Sequence, residues 1–423
     1  LWGAIFSSAI GSMLGAPRTL EALANDNLAP SIFRKKLTGG GSIGLIVSLL
    51  IAAAAVFLGD LNTVAAVVTM FFLTVYGTIN LAATFESLSG DSSWRPKFRS
   101  HWTLNLFGGL ACFGVMFLIN PIVGMIAIGT EILLWLYFTN RGFRAQWGDS
   151  RRGVYENLIR WSLLKLAKRP FSARNWRPHI LAFVSDPVQH LDMIRFGNWF
   201  SQKRGVVTVC QLVVDDLLNQ EIQKEQIKEE IQKILNDERI EAFAEVDIVD
   251  SVVGGITSVA QANGMAGLES NTILLGWPHE LAIFKEFMIV VRRLENIKKS
   301  IILGKITPKH VYPRESLEKS IHIWWGGLQK NGDLMLLLAY LLTRNDEWKD
   351  SKIEVISIAS NELMKKQTEN YLNKLIPEIR IEAQPRVLIK SPEKSINDHI
   401  HEISRNAAVV FFGLATPKKG EEE

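Results

Sequence analysis

The chain has 423 residues and a mass of 47.5 kDa, with 48% hydrophobic and 21% charged residues, a net charge of +4 and a mean hydropathy of +0.12. Those values exclude disordered, collagen-like and disulfide-scaffold proteins, and a small net charge of mixed sign gives no reason to expect nucleic acid as a partner. Two cysteines, Cys112 and Cys210, make no framework, and the chain contains no CxxC or HExxH spacing.

A positive mean hydropathy beside an ordinary charge fraction means that the apolar residues are concentrated. They lie in residues 1–140, which read as membrane, while 141–174 form a basic linker and 175–423 an α/β domain. A bilayer-spanning helix needs roughly 20 mainly apolar residues. Candidate spans in chain order are 1–23, 44–58 (extended by Ser42 and Ile43), 61–85, 104–119 and 122–138, the last two separated by Asn120–Pro121 as a hairpin tip. The chain opens at Leu1 inside the first candidate, with no charged n-region or cleavage site, so a fragment is expected rather than a signal peptide.

Loop charges predict the orientation. Arg34, Lys35 and Lys36 follow the first candidate, Arg95, Lys97 and Arg99 the third, and Arg141, Arg144, Arg151 and Arg152 the fifth. The other two turns carry Asp60 and no charge at all. Positive charge therefore alternates with span number, which places both long loops and the C-terminal half in the cytoplasm.

Polar residues within spans pack, pair or line a pathway. Ala4, Ser7 and Ser8 share one helix face at i, i+3 and i+4, and two hydroxyls with a backbone carbonyl supply part of a sodium shell. The same serine continues through Gly11 and Gly15 as a small-residue stripe, which serves close helix packing with no ion. Tyr76 lies inside the third span, away from the interfacial belt. Its hydroxyl can face an anion or bond a carbonyl of a neighbouring helix. Glu131, in mid-span, must be protonated, paired or turned to a protein interface.

From His179 onward, short apolar runs alternate with helical patterns. Strands are predicted at 180–184, 206–214, 242–248, 272–276, 321–325, 353–358, 379–383 and 408–412, with helices at 219–235, 361–375 and 395–405. The alternation predicts a mainly parallel sheet. The 219–235 helix reads as a solvated charged face. Residues 299–318, with Lys298, Lys299, Lys305 and Lys309, read as a basic irregular excursion. Gly264-Met-Ala-Gly267, a glycine-containing turn of a type that can approach a phosphate, is neither a P-loop nor GxGxxG and reads as a tight turn in preference to a phosphate site. Asp215–Asp216 at a strand end and His399-x-His401 read as surface, and no nucleophile–base constellation appears.

Ala4 through Arg18 (AIFSSAIGSMLGAPR), followed by Leu23–Pro30 (LANDNLAP), resembles the eighth transmembrane helix of the cation–chloride cotransporters and its exit loop. Residues 71–80 (FFLTVYGTIN) resemble the tenth helix, and 93–96 (SWRP) the loop behind it. Residues 175–178 (NWRP), 271–276 (NTILLG), 323–325 (IWW), 341–343 (LLT) and 348–350 (WKD) continue the resemblance into the cytoplasmic domain in the right order. The resemblance implies the end of an inverted-repeat fold of the LeuT and amino-acid-permease type, then a universal-stress-protein-like regulatory domain that takes part in homodimerisation, with the last two helices as a further contact.

It also implies sodium bound by Ala4, Ser7 and Ser8, chloride at Tyr76, and sodium-coupled symport by alternating access. No enzyme activity and no cofactor are expected. The transported ions are sodium and chloride, with potassium a further candidate, and lipid is the other partner. The potassium ligands of the family lie on helices that would precede Leu1. Two alternatives stand beside this reading: an amino-acid or polyamine permease of the same superfamily, and a membrane-tethered sensor whose α/β domain binds nucleotide.

Overall fold

A computed structural model of the protein describes residues 2–26, 28–35, 42–57, 60–90, 95–140, 150–169, 176–215, 223–266, 268–278, 280–306, 318–326 and 329–415. The chain divides into two compact units, Leu1–Lys165 and Leu166–Glu423.

The first unit contains α1 (Trp2–Asn25), α2 (Ile43–Phe57), α3 (Leu61–Ser89), α4 (Trp102–Ile119), α5 (Pro121–Asn140) and all but the last two residues of α6 (Ser150–Ala167). Caps set their ends. Asp60 accepts from the Asn62 and Thr63 amides at 3.3 and 3.2 Å and starts α3. The Thr63 hydroxyl, with those two amides, holds the exposed Asp60 carboxyl below the usual carboxylate range. Gly90, at φ +62°, closes the same helix in the left-handed region. The Asn120–Pro121 tip is a double device. Asn120 Oδ1 accepts from the Ile122 and Val123 amides at 3.1 and 3.2 Å, and Pro121 opens α5, where a missing N–H costs nothing.

Within this unit α1 packs on α2, and α3 packs on α4 and α5. Small residues permit the approach: a methyl group on Gly77 would fall 2.9 Å from the Phe113 ring, and one on Gly44 would fall 3.2 Å from the Pro17 backbone. The buried apolar cluster is small, Met70, Met116 and Ala127. Most large apolar side chains point outward instead, with Phe57 89% and Leu118 85% exposed. A water-soluble unit could not carry such a surface. Among the described residues, α3 and α4 are long and apolar enough to cross a bilayer, whereas α2 and the apolar part of α5 are shorter than that.

The basic linker expected at 141–174 contains α6, which the charge pattern concealed. It docks on the carboxyl end of α3. Asn157 Nδ2 donates to the Leu88 and Ser89 carbonyls at 2.7 and 2.6 Å, satisfying two orphan acceptors of the last turn. Gly153 lets the backbones meet, since a methyl group there would lie 2.9 Å from Ser89 Cβ.

The second unit contains β1 (Ile180–Phe183), α7 (Leu191–Ser201), β2 (Val207–Val214), α8 (Lys224–Asp237), β3 (Phe243–Val249), α9 (Val252–Ala262), β4 (Thr272–Gly276), α10 (Leu281–Asn296) and β5 (Ser300–Gly304). It continues with β6 (Glu318–Trp324), α11 (Gln329–Thr343), β7 (Lys352–Ala359), α12 (Glu362–Glu378), β8 (Ala383–Ile389), α13 (Ile396–Ser404) and β9 (Ala407–Phe412). The parallel α/β expectation holds, but the strands form two sheets, ordered β3-β2-β1-β4-β5 and β8-β7-β6-β9. Every described strand pair is parallel.

One core cluster spans both sheets, joining Ile180, Val207 and Leu235 to Ile323, Leu336 and Val355. A second, including Leu181, Phe183, Ile256 and Leu294, covers the other face of the first sheet. Between the sheets, α7 meets α11. Trp199 and Trp348 stand edge to face at 5.5 Å, with Phe196 5.1 Å from Trp199, and Asn345 Nδ2 donates to the Trp199 carbonyl at 3.1 Å.

Two strand expectations need correction. The run 379–383 is not a strand: Leu372 and Ile376 prolong the buried stripe of α12, Arg380 closes it at φ +57°, and β8 begins only at Ala383. Pro385 sits in β8, an edge strand, where its missing N–H is tolerated. The excursion expected from 299 onward begins instead with β5, at the other sheet's edge; residues 307–317 lie outside the described set. The 395–405 helix forms as α13, with a Ser395–Asp398 capping box.

Leu336 is 1% exposed in the cluster that unites the sheets. Leu336→Ala should therefore destabilise the second unit by about 2–5 kcal/mol. Hydrogen exchange should show protection falling in β1 and β7 together, because one core serves both sheets.

Candidate functional site

The candidate sodium ligands lie on α1, a regular helix in which Ala4, Ser7 and Ser8 are all exposed. In such a helix the Ala4 carbonyl bonds the Ser8 amide and keeps a second lone pair. The hydroxyls are the informative atoms. Thr19, Ser48, Thr69, Thr74, Thr84 and Thr130 each donate to the carbonyl four residues earlier, the usual resting place for a hydroxyl on an apolar helix. Ser7 and Ser8 hydroxyls have no hydrogen-bond partner among the described residues.

Among the described residues no neighbouring helix packs on this face either. A methyl group added at Gly11 or Gly15 would meet nothing within 4 Å. Two hydroxyls and one carbonyl are thus open on one face, too few alone to enclose a cation.

Tyr76 lies on α3 and is likewise exposed. Its ring stacks on Phe72 at 6.2 Å, and its hydroxyl has no hydrogen bond among the described residues. The bond to a neighbouring helix that the sequence left open is therefore absent from this set. The Tyr76 carbonyl accepts from Asn80 Nδ2 at 2.8 Å. The candidate sodium face and Tyr76 stand on separate helices, and no hydrogen bond among the described residues joins them.

Sequence reasoning found no partner for Glu131, but the structure supplies one. Thr78 Oγ1, on α3, donates to Glu131 Oε1, on α5, at 2.6 Å. Thr78 follows Tyr76 by two residues, about 200° around the helix, so this pair faces away from the phenol. Its signal could not be found in the sequence, because the phase of α5 against α3 is set by packing.

The second unit offers little chemistry. Its first sheet has a switch point between β1 and β4, at whose carboxyl ends ligands of such folds bind. The Gly264 turn precedes β4 and so lies at the opposite edge. A methyl group on Gly264 would fall 2.4 Å from Glu269 Cα, and its φ is +94°, so the glycine serves the turn; Gly267 lies outside the described residues. Asp215 follows β2, its amide on the Val249 carbonyl, while Asp216 is outside that set. His399 Nε2 accepts from the Ser391 amide at 3.3 Å. Cys210 is buried beside Asp247, and burial foremost pushes its thiol far above the usual range. Among the described residues no three His, Cys, Asp or Glu side chains are grouped as a metal site.

Residues 1–182 match the family model described as Amino acid permease. Residues 291–414 match the one described as Solute carrier family 12. The second match agrees with the cation–chloride cotransporter resemblance over those residues. The chain is thus of transporter type, an outward-apolar helical unit followed by a parallel α/β unit.

Two solved structures are similar to it. One is the cytoplasmic domain of a prokaryotic cation chloride cotransporter, 20% identical, with 55% of this chain and 93% of that chain covered and a TM-score of 0.40. The other is a universal stress protein from Archaeoglobus fulgidus DSM 4304, 17% identical, covering 56% and 84%, with a TM-score of 0.35.

The Thr78–Glu131 bond yields a test of helix pairing. Thr78→Val leaves the carboxyl without its donor and should lower the stability of the helical unit by about 1–3 kcal/mol. Glu131→Gln retains a carbonyl acceptor and should melt near the unaltered protein. Thermal unfolding of the purified protein in detergent distinguishes the two.

Proposed function

We propose that the protein is a sodium-coupled cation–chloride symporter working by alternating access. In this reading sodium is held by Ser7, Ser8 and the Ala4 carbonyl, and chloride lies near the Tyr76 hydroxyl. The observation that carries the reading is the adjacent, unspent hydroxyls of Ser7 and Ser8 on α1, with that of Ser12 open one turn on, in a unit where the hydroxyls of Thr19, Ser48, Thr69, Thr74, Thr84 and Thr130 turn back on their own backbone. A small hard cation is the natural claimant for two hydroxyls and a carbonyl on one face, and the remaining oxygens come from other helices of the transporter. Potassium remains a candidate co-ion in the same proposal.

Residues 1–140 then form about five membrane segments, 141–174 a cytoplasmic linker, and 175–423 a cytoplasmic regulatory domain through which the transporter pairs with a second copy. The support for this orientation is the alternation of loop charge: arginine and lysine after the first, third and fifth segments, Asp60 or nothing after the others. The last two helices are a second proposed contact between copies. No cofactor and no catalytic step are called for.

A second reading, an amino-acid permease, draws on the match of residues 1–182. Ion replacement separates the two. In the intact transporter, Ser7→Ala with Ser8→Ala should abolish sodium-dependent chloride uptake while leaving the protein at the membrane; unaltered uptake would remove the sodium assignment. Tyr76→Phe should weaken apparent chloride affinity, by about tenfold if one hydrogen bond to the anion is lost. Amino-acid uptake indifferent to chloride would favour the permease.

A further inference from the structure

The second unit is built twice from one plan. The strands β1 to β4 and β6 to β9 take the same order in their sheets, joined by α7, α8 and α9 in the first run and by α11, α12 and α13 in the second. The registers coincide as well. Ile180 to Phe183 stand beside Thr272 to Leu275, and Ile321 to Trp324 beside Val409 to Phe412. Each strand of the second sheet therefore has a counterpart in the first, and that of β9 is β4.

These two strands differ in burial. In β4 every residue from Thr272 to Leu275 is buried. The strand lies between β1 and β5, and Ile273 and Leu275 on its outer face join Ile256 of α9 and Leu294 of α10 in one cluster. In β9 no residue is buried, and among the described residues it pairs with β6 alone. Leu275 is 3% exposed, whereas Phe412, at the same register position, is 47% exposed.

The helices over these faces differ in the same way. Gly255, Ile256 and Ala260 of α9 are buried, but α13 has no buried residue. It is seated on its sheet all the same: Ser404 Oγ accepts from Trp324 Nε1 at 2.9 Å and lies 2.9 Å from His322 Nδ1. Ile396, Ile400 and Ile403 form one apolar stripe along it, at i, i+4 and i+7.

Edge chemistry separates a strand that faces water from one that is paired. The other three sheet edges carry protection. β3 has Glu245 and Asp247, β5 lies between Lys299 and Lys305, and β8 holds Pro385 and Arg386. By contrast β9 reads Ala-Ala-Val-Val-Phe-Phe, without charge or proline, which is the composition of an interior parallel strand.

We infer that β9 is an interior strand, and that the protein's own chain from Thr416 onward adds an amphipathic helix over Phe412 and the α13 stripe, then a fifth strand parallel to β9. The chain leaving each strand argues for this occupant. β4 ends in Leu275-Gly-Trp-Pro278 and leads through Glu280 into α10 and β5. β9 ends in Phe412-Gly-Leu-Ala-Thr-Pro417, and Glu421, Glu422 and Glu423 follow. A proline and then acidic residues are the start signal of a helix. A second copy pairing its β9 against this one would close the edge but bring no helix to the face. Only the second unit is involved, so failure of every ion assignment leaves this standing.

The test compares the protein as its gene encodes it with a chain stopped after Glu423. Phe412→Cys and Lys366→Cys are made in each, with Cys112 and any later cysteine replaced, and are labelled with a soluble maleimide. Lys366 is exposed on α12 and gives the rate for open surface. Cys210, fully buried in the first sheet, must stay unlabelled and so reports that the unit is folded. In the encoded protein position 412 should react about tenfold or more slowly than 366, because it is reached only when the covering segment opens. In the stopped chain the two positions should react at similar rates.

Equal rates in the encoded protein overturn the inference, since the edge is then open. Slow labelling that survives the stop, or that is lost from the encoded protein on dilution to single copies, points to a second copy and overturns the choice of occupant. A gene that encodes no helix and strand after Glu423 overturns it outright.

Discussion

The governing constraint in the first unit is the cost of an unpaired polar group in hydrocarbon. With no water to accept a stray N–H or hydroxyl, each must find a partner within reach. Asp60 and Asn120 spend their side chains on helix N-termini, and Asn157 spends its amide on the end of α3. Threonines turn back on the preceding turn, and Glu131 takes the Thr78 hydroxyl. Formal charge is pushed into the loops. Among the described residues the same accounting leaves the Ser7, Ser8 and Ser12 hydroxyls of α1 open.

Much of this was legible in the sequence, for physical reasons that differ by element. The apolar helices α3 and α4 announce themselves because about twenty apolar residues in succession have few other uses, and the Asn120–Pro121 tip because cap chemistry is local. Buried parallel strands such as β4 read as short apolar runs bounded by polar residues, and β4 falls at 272–276 in both sequence and structure. By contrast, β8 was misplaced because Ile376 and Ile379 suit a helix stripe or a strand equally, and only the left-handed Arg380 decides. The edge strand β5 was hidden by the lysines around it, and edges are where charge is expected. No local pattern could reveal that the strands divide into two sheets, since that is decided by how α7 and α11 pack between them. The candidate site divides in the same way: the Ala4, Ser7 and Ser8 face follows from helical spacing alone, whereas the Thr78–Glu131 pair depends on the relative phase of two helices 53 residues apart.

The two units solve opposite problems. In the second, apolar side chains turn inward, and one core holds both sheets through Trp199, Phe196 and Trp348. Its candidate chemical features prove to be structural: a glycine required by its turn, a buried and unreactive thiol, a histidine bonded to a nearby amide. In the first, most large apolar side chains face outward, while Gly44 and Gly77 and the Thr78–Glu131 pair sit where helices meet, an arrangement suited to lipid outside.

The claim on which the account turns is that loop charge alternates because the helices alternate in crossing the bilayer. Single cysteines answer it directly, in a background lacking Cys112 and Cys210. Asn62→Cys, just after Asp60, should react with an impermeant thiol reagent applied to intact cells, whereas Ser100→Cys, just after Arg99, should react only once the membrane is permeabilised. Labelling of both positions from the same side would contradict the crossing of α3, and with it the orientation of everything that follows.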